Sequence, residues 1–350
     1  MDKKIKNYLV ISPVVDSINF IYDLLNYKCI KGSKINIIYD SDLSIGYFQF
    51  NNKFQLINIK LTKRLISFSG LFILLKNIYK LKLYSNSKII YNSPNSILYL
   101  PFIKILFPKT YNIIFVHGLL EGRSIMIRFI YFVLLNVINL FSNKTLVVNN
   151  NYNIYLKPSV VNFIGIFGVG LPKNKIDYFI NNKKERKNDE IIKIGFAGRY
   201  TNAKGFDRFL KIAKYANLKQ MNYSFFAFGD KTLLVNNKVQ SFGILKTYEE
   251  LMNFYNYIDI LIFPSRGEGT GLVQLEAILS GVKVFASDNN GSIQLSSYFK
   301  NNLIINKNWN NFDLIFKKIY NLHHTNKLIL QKELDNTSIF EFPKNIAKIL

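Results

Sequence analysis

The chain has a single cysteine, Cys29, in 350 residues. One thiol excludes an internal disulfide and a metal cluster built on cysteines, and it fits a reducing cytoplasm. Acids are scarce too: 22 Asp and Glu stand against 46 Lys and Arg, for a formal charge of +24. Such a charge invites a negatively charged partner, whether membrane surface, nucleic acid or anionic substrate. The shortage is local, because residues 51–150 hold thirteen basic residues and one acid, Glu121. Long apolar runs are also missing. The longest, Ile125 to Phe141, is interrupted by Arg128, Asn136 and Asn139 and is too short and polar for a membrane span. The opening MDKKIKNYLVISPVV has the charge-then-apolar order of a signal peptide, but its apolar run is short and broken by Pro13. A first β-strand is the better reading.

What is present is globular. Hydrophobic residues make up 49% of the chain, which argues against disorder, and its length suits two cores. Apolar runs at Lys6–Ser12, Lys34–Tyr39, Phe54–Ile59, Lys88–Asn92, Asn112–His117 and Thr145–Asn149 read as strands, with helical stretches between several of them. The second half repeats the plan at Ile191–Ala197, Tyr223–Gly229, Asp259–Pro264 and Lys283–Ala286. This alternation predicts an α/β protein of two doubly wound, Rossmann-like domains facing a cleft. The charged stretch NNKKERKNDE, 181–190, reads as the linker, giving domains at 1–186 and 187–335 and a final segment, 336–350.

The stretch from Asp259 to Val284, DILIFPSRGEGTGLVQLEAILSGVKV, reads as strand, glycine-rich loop, helix and strand. Leu272, Leu275 and Leu279 mark the apolar face of its helix, Leu272 to Leu279, and Glu276 falls in the same arc. A carboxylate there needs a partner. Glu268 sits in the loop, and the amides from Gly269 through Thr270 and Gly271 to Leu272 open a helix N-terminus suited to phosphate or sugar oxygens. Alone, the pair also reads as a solvated loop acid and a satisfied core carboxylate. GRYTNAKGF puts Arg199 and Lys204 in a basic loop between a strand and an amphipathic helix. His117 and Gly118 close an apolar strand, where a lone histidine is by default structural, and Glu121 and Arg123 follow close behind.

The segment GEGTGLVQLEAILSG, with seven residues between Glu268 and Glu276, resembles the E-x7-E element of retaining glycosyltransferases of the GT-B fold, family 4. The resemblance is specific over most of 189–292 and loose before it. It implies that Glu268 lies by the donor sugar, that Glu276 holds the ribose hydroxyls, and that Arg199 and Lys204 hold the diphosphate. It further implies His117 over the sugar and Gly243 and Leu245 near the base. Thr270 stands where the family usually has Phe, and Ser12-Pro13-Val14-Val15 replaces a glycine-rich loop. The implied reaction is front-face transfer from a nucleoside diphosphate sugar, UDP favoured, to a glycan or lipid-linked acceptor in surface polysaccharide or O-antigen synthesis, with no cofactor or metal. Fixed cations can neutralise a departing diphosphate in place of a metal.

Asp40-Ser41-Asp42 has the D-x-D form of a metal site in a different glycosyltransferase fold, and a surface turn is the reading adopted. Ser69 to Tyr84 mixes large apolar residues with Lys76, Lys80 and Lys82. It has two readings, an interfacial helix on anionic lipid or a core helix with snorkelling lysines. With Ile125 to Phe141 it favours a peripheral position on the cytoplasmic face of the membrane. Two rivals stand beside the transferase: a nucleotide-sugar epimerase on the same fold, and a basic nucleic-acid binder. The aromatics lie in apolar strands and helices and are not interleaved with a basic groove, which argues against nucleic acid.

Overall fold

The structure, a computed structural model, describes residues 7–11, 34–40, 54–59, 68–82, 87–92, 94–116, 125–147, 161–163, 173–184, 190–230, 239–245, 247–269 and 271–324. They fall into two compact units. The first carries β1 (Asn7–Ile11), β2 (Lys34–Asp40), β3 (Phe54–Ile59), α1 (Phe68–Lys80), β4 (Ser87–Tyr91), α2 (Pro94–Ile97), α3 (Leu100–Leu106), β5 (Tyr111–Val116), α4 (Ile125–Asn139), β6 (Lys144–Val147) and β7 (Val161–Phe163). Its strands form a parallel sheet in the order β3-β2-β1-β4-β5-β6-β7. Five consecutive residues of β5, from Asn112 to Val116, are buried, as a strand covered on both faces requires.

The connections β3 to β4, β4 to β5 and β5 to β6 all step the same way across this sheet. Right-handed crossovers therefore set α1, α3 and α4 on one of its faces. Leu74 and Ile78 of α1 and Leu135 and Ile138 of α4 point into the core. The rest of α4 does not follow the amphipathic rule, because Ile125, Met126, Phe129 and Ile130 are exposed.

The second unit carries α5 (Lys173–Asn181), β8 (Ile192–Ala197), α6 (Phe206–Leu218), β9 (Tyr223–Phe228), β10 (Gln240–Ser241), α7 (Tyr248–Tyr257), β11 (Ile260–Phe263), α8 (Leu272–Leu279), β12 (Lys283–Ser287), α9 (Asn290–Tyr298), β13 (Leu303–Asn306) and α10 (Phe312–His324). Its parallel sheet runs β10-β9-β8-β11-β12-β13. The core cluster joins Ile194 and Phe196 of β8, Phe209 and Ile212 of α6, Ile260 and Ile262 of β11, and Ile315 and Ile319 of α10. The sheet reverses direction between β8 and β11, so its topological switch point lies beyond the ends of those two strands, where open α/β sheets bind ligands.

Two expectations change. The domain boundary lies ahead of α5 and not at 186/187, because α5 packs into the second unit: Phe179 meets Tyr255 edge-on at 6.0 Å. The start of the supposed linker is tied down as well, with Asn256 of α7 bonded to both Lys184 N and Asn182 O at 3.0 and 3.1 Å. Strands β7, β10 and β13 were not legible as alternating or long apolar runs; they are three, two and four residues long. Residues 336–350 and Ser41-Asp42 lie outside the described residues.

Candidate active site

The second-unit site grows from two loops that meet above the β8 and β11 ends. After β8 the chain passes Gly198 and Arg199, then makes a 3-10 turn, Asn202–Lys204, capped by the Thr201 side chain. Gly205 follows in the left-handed region at φ 73° and opens α6. A Cβ there would sit 2.0 Å from the Pro264 carbonyl oxygen, so only glycine lets this turn approach the end of β11. Arg266 N bonds back to Ala203 O at 2.9 Å, and the Arg266 guanidinium grips both carboxylate oxygens of Asp207 at 2.6 and 2.7 Å. The two loops are thereby fixed to one another. The guanidinium's hydrogen bond also holds the Asp207 carboxyl below the usual carboxylate range.

This contact brings together the residues singled out in the two loops. The Lys204 ammonium bonds to Glu268 Oε1, which also accepts from Ser265 Oγ at 3.1 Å. Glu268 O accepts from Gly291 N at 2.9 Å, and Asn289 Nδ2 bonds Ser265 O at 3.2 Å, so the N-terminus of α9 braces the same loop. Gly271 caps α8 at φ 62°, and a Cβ there would press on the Gln274 amide at 2.7 Å. Its left-handed turn lets the loop feed directly into the helix N-terminus, whose first N–H groups form a natural anion site. Gly269 and Leu272 are half-buried at that turn.

Glu276 is 8% exposed on α8. The partner that its position demands is Lys175, whose Nζ lies 2.6 Å from Oε1, and Tyr255 donates to Oε2 at 3.1 Å. Burial, reinforced by the Glu276 charge, pushes the Tyr255 hydroxyl well above its ordinary pKa, so it stays a donor.

Other expected residues sit differently. Arg199 is exposed on the loop after β8 and makes no side-chain hydrogen bond or ion pair among the described residues. Gly243, at φ 67°, accepts from Gly229 N at 2.8 Å and stands with half-buried Leu245 beside β10. His117, Gly118, Glu121, Arg123 and Thr270 lie outside the described residues. Three participants escaped the sequence reading: Lys175, Tyr255 and Ser265. Ser265 stands within the glycine-rich loop and its proximity to Glu268 was a usable signal; Lys175 lies 101 residues from its partner, and no local pattern connects them. Among the described residues there is no group of three or more His, Cys, Asp or Glu able to hold a metal, and no helix is long and apolar enough to cross a membrane.

Residues 177–334 match the family model described as glycosyl transferases group 1. That segment is similar to this family. The match takes in both loops and α8, so the paired lysine and glutamate stand within the part of the chain that carries the likeness. Among curated relatives, the Staphylococcus aureus capsular polysaccharide biosynthesis glycosyltransferase CapM is 26% identical over 197 residues, 52% of this chain and 50% of its own length. A Klebsiella pneumoniae protein from a cps region is 33% identical over 138 residues, 34% of this chain and 38% of that one. The chain thus spans half or less of the curated relatives it matches. Among solved structures, Anabaena HepE in complex with UDP and glucose superposes with a TM-score of 0.70 at 12% identity, covering 98% of this chain and 99% of its own. WaaG, a glycosyltransferase involved in lipopolysaccharide biosynthesis, gives 0.62 at 14%, covering 99% of each chain. The fold is that of the GT-B glycosyltransferases, with a doubly wound unit in each half.

Proposed function

We propose that the chain is a retaining glycosyltransferase that moves a hexose from a UDP-sugar to a glycan or lipid-linked acceptor in bacterial surface polysaccharide synthesis. The observation that carries this reading is the junction of the two second-unit loops, where Lys204 is paired with Glu268 beside the N-terminus of α8. A diphosphate arriving there meets a fixed ammonium, the exposed Arg199 and the helix amides. These groups neutralise the charge that develops as the sugar leaves, with no metal needed. Glu268, released from part of its hold on Lys204, is left beside the sugar. Glu276 takes the ribose hydroxyls, and the leaving phosphate assists the incoming acceptor hydroxyl on the same face of the sugar. The UDP and glucose held by Anabaena HepE support uridine as the base. The capsule and lipopolysaccharide roles of CapM and WaaG support the setting.

The acceptor half supports a peripheral seat on the cytoplasmic face of the membrane. On the one sheet face that carries α1, α3 and α4, Phe72, Ile105, Ile125 and Phe129 are all more than 60% exposed. These three helices contain lysines and an arginine and no acid. Helices that pair exposed apolar side chains with charges of positive sign alone suit anionic lipid, and also an anionic lipid-linked acceptor.

Calorimetric titration with UDP, GDP and ADP, with and without chelator, tests the donor assignment. One nucleotide should bind irrespective of chelator, and Glu276→Ala should abolish that binding. Turnover of donor without transfer to any acceptor would instead favour the epimerase.

A further inference from the structure

Glu276 is not an open carboxylate. A carboxylate has about four lone-pair positions, and two are already committed inside the second unit, one on each oxygen. Lys175 occupies Oε1 at 2.6 Å and Tyr255 occupies Oε2 at 3.1 Å. Neither donor is casual. Tyr255 is fully buried, and the Lys175 ammonium is walled by the rings of Tyr248 and Phe179, with centroids 5.2 and 5.6 Å away. The lysine side chain is only 14% exposed and that of Glu276 11%. A charge pair this dry resists competition from water, and the flanking π-faces favour the cation.

We propose that Lys175 positions Glu276 to recognise a vicinal diol. With one donor fixed on each oxygen, the carboxylate plane cannot rotate freely, and one acceptor site remains on each oxygen. Two hydroxyls on adjacent carbons can then donate to the two oxygens side by side. A single hydroxyl satisfies only half of that arrangement. The proposal rests on the donor-site reading and adds to it the source of discrimination between ribose and deoxyribose. Lys175 acts through Glu276 and is not itself given a contact with the nucleotide. Its place on α5, at the start of the second unit, makes that helix part of the nucleotide site and not a simple connection.

The test is calorimetric binding of UDP and of 2′-deoxy-UDP to the full chain, to Lys175→Met and to Lys175→Arg, with Lys175→Gln as a second neutral variant and circular dichroism to select folded protein. The wild type should prefer UDP by about tenfold or more, the scale of one hydrogen bond to a charged group. Lys175→Met and Lys175→Gln should bring the two ligands to within about twofold by weakening UDP, and Lys175→Arg should keep most of the preference. A neutral variant that discriminates as the wild type does overturns the proposal while leaving the donor site intact. A wild type that binds neither ligand overturns the donor-site reading and this proposal with it.

Discussion

Lys204 and Glu268 stand 64 positions apart in the chain, yet the ammonium of one is bonded directly to the carboxylate of the other. The pair exists because Gly205 lets the loop after β8 close on Pro264. Removing either side chain strips the loop junction of its charge and leaves the partner half-buried without its counterion. Lys204→Ala is expected to lower UDP release from a panel of UDP-sugars about tenfold or more, the loss of one charge-assisted contact being about 1.5–3 kcal/mol. Glu268→Ala should cut turnover with a smaller change in UDP affinity. Full activity in both variants would remove the basis of the assignment.

Ser265 Oγ has one proton and three oxygens within reach: Glu268 Oε1 and Gly267 O, each at 3.1 Å, and Ala203 O at 3.3 Å. The charged oxygen is the strongest acceptor of the three. Ser265→Ala should therefore lower turnover several-fold, about 1 kcal/mol, with UDP affinity held. Equal losses in turnover and in UDP affinity would point to a collapse of the loop instead.

Gly205→Ala tests the junction itself. The added methyl group would collide with the Pro264 carbonyl in a backbone region that side chains disfavour. A loss of about 2 kcal/mol or more is expected in urea unfolding. Gly281→Ala is the control: it is also left-handed, at φ 77°, but nothing lies within 4 Å of its Cβ, so it should cost less.

The Asp207–Arg266 clamp gives a pH dependence of definite sign. Arg266 lowers the folded-state pKa of Asp207, so the clamp contributes stability above the ordinary carboxylate range and loses it as pH falls through the depressed value. Both groups are partly exposed, which limits the effect to about 1 kcal/mol or less. Asp207→Asn should be slightly less stable than the wild type above about pH 5 and equal to it at strongly acid pH. A constant gap across that range in a pH series of urea melts would exclude the linkage.

Membrane seating is checked by sedimentation with vesicles of phosphatidylcholine alone and with phosphatidylglycerol added. Binding should need the anionic lipid, weaken with salt, and fall in the double variant Ile125→Ser, Phe129→Ser, whose side chains are exposed and whose loss should leave the melting temperature nearly unchanged. Salt-independent self-association relieved by the same double variant would assign the face to a second copy of the chain instead.

Much of this architecture was legible because its signals are local. The helix read as Leu272 to Leu279 has those bounds in the structure, and just beyond it Gly281, left-handed at φ 77°, lets Val282 N reach back to Ala277 O at 2.8 Å. The apolar runs of β5, β8 and β11 announced themselves for the same reason, since a strand buried on both faces has no polar alternation to hide it. Strand β10, two residues long, carries too few residues for any period to register, and it is held by its neighbour in the sheet.

The sequence by itself determined which residue types the site would contain: a loop lysine, a loop glutamate, and a glutamate on an apolar helix face that had to be neutralised. Tertiary structure decided what neutralises it and where the units divide. Both answers come from α5, which turned from an apparent lead-in to the linker into a wall of the second unit because Phe179 packs on Tyr255 and Lys175 reaches Glu276. Helical period and glycine geometry act over a few residues and can be read along the chain. A buried charge, by contrast, is satisfied by whichever donor the closed fold brings within about 3 Å, and that choice is made in space.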